Sequence, residues 1–146
     1  MRASAEAASL LYRMAGLPDV AFEPQFSDVP ADAWFGDAVN WAHANGIVQG
    51  IGDGRFMPDA WITRQEMALI LYRYAASMGR DMTIHGGAAL EFPDANDISD
   101  WAFYAMTWAV HNGLVRGNDT GALNPFGTAN RAEAVVLMQR FVNMTQ

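Results

Sequence analysis

The chain repeats itself, and that limits its fold more than any other feature. Moved by 67 residues, from Trp34 to Trp101, the stretch Trp34–Ala75 lies over Trp101–Val142 without a gap. Trp34/Trp101, Trp41/Trp108, Gly46/Gly113, Gly50/Gly117, Gly54/Gly121, Pro58/Pro125, Arg64/Arg131, Glu66/Glu133 and Arg73/Arg140 all coincide. Upstream, Phe26-Ser27-Asp28 answers Phe92-Pro93-Asp94 at a shift of 66, so one loop residue is gained between copies. A third, partial copy opens the chain, where Glu6–Arg13 lies over Glu66–Arg73. Self-similarity at a fixed spacing marks stacked supersecondary units that bury a common core.

Each copy reads as two helices around a long loop. A Phe-x-Asp lead-in precedes a first helix near Trp34–Asn45 and Trp101–Asn112, with apolar residues at helical spacing. Gly46 and Gly113 follow as the left-handed residue that ends a helix. After a Gly- and Pro-containing loop comes Ile62-Thr63-Arg64-Gln65-Glu66, a helix start with Thr63 as N-cap and Glu66 closing a capping box. The stripe of this second helix is Met67, Ile70/Leu71, Tyr74 and Met78. Counting elements gives three second helices but only two first helices. The expected fold is all-α, a pseudo-threefold module around a central three-helix bundle with long Gly-containing loops. The expected segments are residues 1–16 (closing helix of an incomplete first repeat), 17–25 (connector), 26–78 (full repeat), 79–91 (connector) and 92–146 (full repeat).

Arg64 is the anomaly in that helix start, a cation where the helix dipole is already positive, which costs a few tenths of a kcal/mol, about 0.3–1, unless offset. Two readings of Arg64 and its copy Arg131 stand. Unpaired N–H groups at a helix N-terminus attract anions, and a guanidinium beside them can grip a carboxylate through two parallel bonds. Alternatively, each arginine pairs internally with Glu66, Glu133 or a nearby Asp. Trp34 and Trp101 suit either a sugar-stacking wall or packing, whereas Trp41 and Trp108 are core by spacing. Gly50, Gly117, Gly54 and Gly121 serve backbone turns or the close approach of a ligand. Asp28 and Asp94 read as turn or cap residues that could also line a groove. Arg13, Arg73 and Arg140 recur once per helix and read as structural, reaching for an acid such as Asp28 or Asp94.

Taken together, Phe-x-Asp, Gly-Ile-Val-x-Gly, Gly-x-Phe-x-Pro and Ile-Thr-Arg-x-Glu resemble the S-layer homology (SLH) repeat. Phe26–Met78 matches nearly throughout, and Phe92–Val142 matches with Asn130 for the threonine, Leu123 for the phenylalanine and Ala95 for the usual valine. The opening copy carries Ala3 and Ser4 at the Thr and Arg positions. The resemblance implies a non-catalytic anchoring module of an extracellular, cell-wall or S-layer protein. Its implied partner is secondary cell-wall polysaccharide, often bearing ketal-linked pyruvate, or modified peptidoglycan, held in grooves between repeats. The implied ligand-binding set is Arg64, Arg131, Trp34, Trp101, Asp28, Asp94, Gly50 and Gly117.

Other classes are weaker. A net charge of −7 argues against nucleic acid. No apolar run is long enough to span a bilayer, so membrane insertion is not expected. Met1-Arg2-Ala3 runs straight into a helical pattern without a signal-peptide core, so an exported parent would carry its leader elsewhere. With no cysteine there is no thiolate site. Asp53-Gly54 and Asp59 lack the alternating oxygens of a calcium loop, and Thr120 replaces Asp53 in the next copy, so no metal is expected. His43, His85 and His111 occupy non-equivalent places without ligand spacing. No cofactor motif and no hydrolase motif is present. Sixteen acidic residues could supply a glycosidase pair, but nothing places two together. The alternative kept is a protein-interaction or oligomerisation module, with association or a domain swap through the incomplete first repeat.

Overall fold

The computed structural model describes residues 4–23, 25–50, 53–84 and 91–144; Ala3, His85 and the end of the second connector lie outside them. The described residues form five α-helices: α1 (Ser4–Met14), α2 (Gly36–Ala44), α3 (Arg64–Ser77), α4 (Asp100–His111) and α5 (Arg131–Met144). A 3-10 turn at Ala95–Asp97 precedes α4, and the described residues hold an isolated antiparallel bridge, Thr63 to Thr128, but no strand. The all-α class read from the sequence is correct. The chain divides into two compact units, Met1–Ile62 and Thr63–Gln146.

Both units use the same construction, offset by half a repeat from the sequence copies. In each, a second helix packs on the first helix of the following copy. In the first unit the Tyr12 ring of α1 lies 5.5 Å from Trp41 of α2. In the second the Tyr72 ring of α3 stands edge-on to Trp108 of α4 at 5.6 Å. Trp41 and Trp108 are buried, as their spacing required. The buried Asn40 fastens the first connector, donating to the Ala21 carbonyl at 2.9 Å and accepting from the Glu23 N–H at 3.1 Å. In the second unit the buried Gln65 of α3 ties down the turn before α4, donating to Ser99 Oγ at 2.9 Å and accepting from the Ser99 N–H at 3.0 Å. Along α3 and α5, Tyr74 meets Phe141 with ring centroids 5.5 Å apart.

The helix ends follow the sequence reading closely. After α2, Gly46 at φ +73° donates to His43 and Ile47 donates to Ala42 at 2.8 Å; after α4, Gly113 and Leu114 repeat both bonds with Val110 and Ala109. This paired closure needs a left-handed residue, hence glycine in both copies. The Thr63–Glu66 capping box is present in full at α3. The α2 start differs from expectation, because the helix begins at Gly36 and leaves Trp34 in the preceding turn. There Ala33 donates to the Pro30 carbonyl and Gly36 to Ala33, and Gly36 sits so close to the Pro30 and Ala31 carbonyls that a Cβ would collide. In the next copy, Trp101 lies within the first turn of α4.

Candidate functional site

The two long loops are set by the Phe-x-Asp lead-in. Asp28 accepts the Phe56 and Met57 N–H groups, both at 2.8 Å, and Asp94 accepts those of Leu123 and Asn124 at 2.9 and 2.7 Å. Met57 and Asn124 are left-handed, at φ 62° and 52°. A left-handed conformation costs a non-glycine residue roughly 1–2 kcal/mol, which two charge-assisted bonds can offset. Burial raises the Asp94 pKa, but the bonds from Leu123 and Asn124 outweigh it and leave the carboxyl below its ordinary value. The phenylalanine of the same motif covers a glycine: a Cβ on Gly50 would come 2.5 Å from the Phe26 ring, and one on Gly117 would come 3.1 Å from Phe92. Gly50 is also left-handed, at φ 77°; Gly117 is not.

These loops in turn receive the helix starts. Ser4 and Ala5, opening α1, donate to the carbonyls of Ala60 and Pro58, both at 3.0 Å. Arg64 and Gln65, opening α3, donate to those of Gly127 and Pro125 at 2.9 and 3.1 Å. Glu66 N–H goes to the Thr63 hydroxyl. The first-turn N–H groups of α3 are therefore consumed inside the fold. Of the two readings of the helix start, the one that left these N–H groups unpaired for an anion does not hold at α3.

Cationic side chains meet in the second unit. A cleft of about 440 Å³ is lined by Arg64, Arg116, Asn118, Asn130, Glu133 and Arg140, with apolar walls that include Leu123 and Leu137. Arg64 Nη2 bonds Glu133 Oε1 at 2.7 Å, with the two side chains 27% and 33% exposed. The internal ion pair raised as the alternative thus exists, yet it stands in an open cleft. Glu133 is available for it because Asn130 replaces the threonine of the box: Asn130 Oδ1 accepts the Glu133 N–H at 2.8 Å, while Glu66 accepts from Thr63 Oγ1 at 2.8 Å. Gly127 lies against the Arg64 guanidinium, so that any Cβ there would run into it and into Asn124.

Arg140 donates to the Leu114 carbonyl at 2.9 Å. It was expected to reach an acid such as Asp94, whose carboxylate is instead taken by the loop. Burial, and next the Arg116 charge, hold the Arg140 pKa below the usual arginine value. Arginine still stays protonated in any ordinary buffer. The cleft therefore presents three permanent cations against one carboxylate. A planar guanidinium offers paired donors suited to carboxylate or phosphate.

Of the candidates in this unit, Arg64 lines the cleft; Arg131, Trp101, Asp94 and Gly117 do not. Arg131 is exposed at the first residue of α5. Trp101 is 56% exposed on α4. In the first unit Trp34 is 67% exposed, its ring edge-on to Phe35 at 5.2 Å. Sequence reasoning missed Arg116, Asn118 and Asn130 as lining residues. The signal within reach was the departure from the earlier copy, where Gln49, Ile51 and Thr63 stand at those places. Asp53 is engaged by Arg55, a pair at 2.8 Å.

The model of the S-layer homology domain matches residues 25–68 and 91–135, more than half of the chain. The chain is 33% identical over 134 residues to an amylopullulanase of Thermoanaerobacterium thermosulfurigenes, covering 92% of this chain and 7% of that protein. It is 33% identical over 120 residues to the surface-layer 125 kDa protein of Lysinibacillus sphaericus, covering 80% of this chain and 10% of that one. To the cellulosome-anchoring protein of Acetivibrio thermocellus it is 28% identical over 115 residues, 79% of this chain and 25% of the relative. The chain thus spans a quarter or less of each of these proteins.

Proposed function

Because the chain belongs to the S-layer homology domain family, we propose that it anchors a larger protein to the cell wall by binding an anionic wall polysaccharide in the arginine cleft of its second unit. As a family member it is a cell-surface anchoring module, and such modules are not themselves catalytic. The match to 7% of an amylopullulanase suits a module appended to an enzyme.

The observation that carries the ligand reading is the convergence of Arg64, Arg116 and Arg140 on one cleft with a single opposing carboxylate. Sugars carrying a carboxylate, such as ketal-linked pyruvate, supply the planar anion these forks fit. The apolar walls suit the pyruvyl methyl and sugar ring faces, and Trp101 of the same unit, being exposed, is available for stacking on a sugar. Asp28, Asp94, Gly50 and Gly117 serve by shaping the loops.

Pull-down on purified wall polymer tests this. Arg64→Ala and Arg116→Ala should each weaken binding about tenfold, the loss of one charge-assisted bond of ~1.5 kcal/mol. Arg131→Ala, outside the cleft, should bind like the unaltered chain. If both cleft variants retain full binding, the cleft is not the site.

A further inference from the structure

We infer, resting on the cleft as the ligand site proposed above, that it holds two anion seats two helical turns apart and takes a saccharide stretch bearing two acids. A single acid would fill one seat only.

The spacing is set by α5. Glu133 and Arg140 both line the cleft and lie seven residues apart on that helix, which is about 10 Å along its axis and nearly the same face. Between them the wall is apolar, formed by Val136 and Leu137. The near end gathers Arg64, bonded to Glu133, and Asn130, whose Oδ1 accepts the Glu133 N–H. The far end gathers Arg140, anchored on the Leu114 carbonyl, and Arg116. Burial and then the Arg116 charge hold the Arg140 pKa down, as befits two neighbouring cations. Asn118 follows two residues after Arg116 and lines the cleft with it.

What these groups have left to offer is donors. A guanidinium has five N–H groups and no acceptor, and the Leu114 carbonyl takes one from Arg140. Asn118 Oδ1 already accepts the N–H groups of Thr120 and Ala122, both at 3.0 Å, and Asn130 Oδ1 accepts its own bond at 2.8 Å. The amide N–H groups of both asparagines therefore remain for a ligand. Glu133 is the one carboxylate among the lining residues, and it stands at the near end.

The two seats are thus unequal. At the near end an acid displaces Glu133 from a partly exposed ion pair, which is weak. At the far end it meets two cations with no lining carboxylate beside them and relieves their mutual repulsion. The far seat also belongs to this copy alone, since Gln49 and Ile51 stand at the places of Arg116 and Asn118 in the earlier one. An acid at either end leaves the donors of the other without an anion. The matched ligand spans both ends, with a sugar face on Val136 and Leu137.

Titration calorimetry of the full chain with three simple acids tests this. Azelate carries two carboxylates about as far apart as the seats, across an apolar chain; nonanoate has the same chain with one carboxylate, and succinate has two set too close. Azelate should bind about tenfold more tightly than either, the gain of one further charge-assisted contact. Arg64→Ala should bring azelate down to the affinity of nonanoate, whereas Arg116→Ala should weaken nonanoate as well. Equal affinity for azelate and nonanoate would overturn the two seats, as would an azelate advantage that survives Arg64→Ala or no azelate binding at all. None of these acids is a sugar, so polymer pull-down that still depends on Arg64 and Arg116 would then leave the proposed function standing with a single seat.

Discussion

Arg64 is held from three directions: its backbone N–H by Gly127, its guanidinium by Glu133, and its underside by the absence of a side chain at Gly127. The Glu133 pair is partly exposed, and ion pairs of that kind contribute about 0–1 kcal/mol. Arg64→Ala should accordingly leave the melting temperature nearly unchanged while weakening polymer binding. Glu133→Gln removes the carboxylate that competes for the same fork and should strengthen binding of an anionic polymer several-fold, read by calorimetric titration. Gly127→Ala forces the guanidinium aside and should reduce binding as Arg64→Ala does, with an added loss of stability. For Asp94 the folded pKa is depressed, so its stabilisation is present above the unfolded value of about 3.9 and is lost as pH falls through the folded pKa. Acid titration of stability should show that loss in the parent chain and lack it in Asp94→Asn, which should already be less stable at neutral pH.

At the scale of elements, what the sequence made legible was whatever is decided locally. The Thr63–Glu66 box lies within four residues, and the glycine closures after α2 and α4 need one left-handed residue each. Thr63→Ala should cost about 1 kcal/mol in denaturant melts. Trp108→Ala, by emptying the α3–α4 seam, should cost about 3–5 kcal/mol. The rest depended on contacts distant in sequence. That the α3 start is satisfied by Pro125 and Gly127 could not be read from Thr63–Glu66, because the acceptors belong to the following copy. Arg116 and Asn118 flank the repeated Gly117, but their copies Gln49 and Ile51 carry no charge, so the repeat itself gives them no shared role. Arg140 was visible as a recurring arginine, but its partner is a backbone carbonyl, which no residue pattern reveals. The replacement of Thr63 by Asn130 was also visible; its consequence, a Glu133 turned toward Arg64, required the fold.

Over the whole molecule, the proposed anion site is a local excess of arginine in a chain of net charge −7. The two signs act over different distances, since charges farther apart than about 10 Å are largely screened at 0.1 M salt. Raising salt from very low to moderate concentration should therefore speed association with an acidic polymer by screening the long-range repulsion, the reverse of the trend for a basic binder. Stopped-flow mixing at several ionic strengths checks that sign. At the earlier copy's equivalents of Arg64, Arg116 and Arg140 stand Ser4, Gln49 and Arg73, so one strong site per chain is expected. The most direct measurement is titration calorimetry of the chain with pyruvylated wall polysaccharide, before and after mild acid removes the pyruvate. The account predicts one-site binding that falls at least tenfold once the carboxylate is gone; equal affinity for both polymers would contradict it.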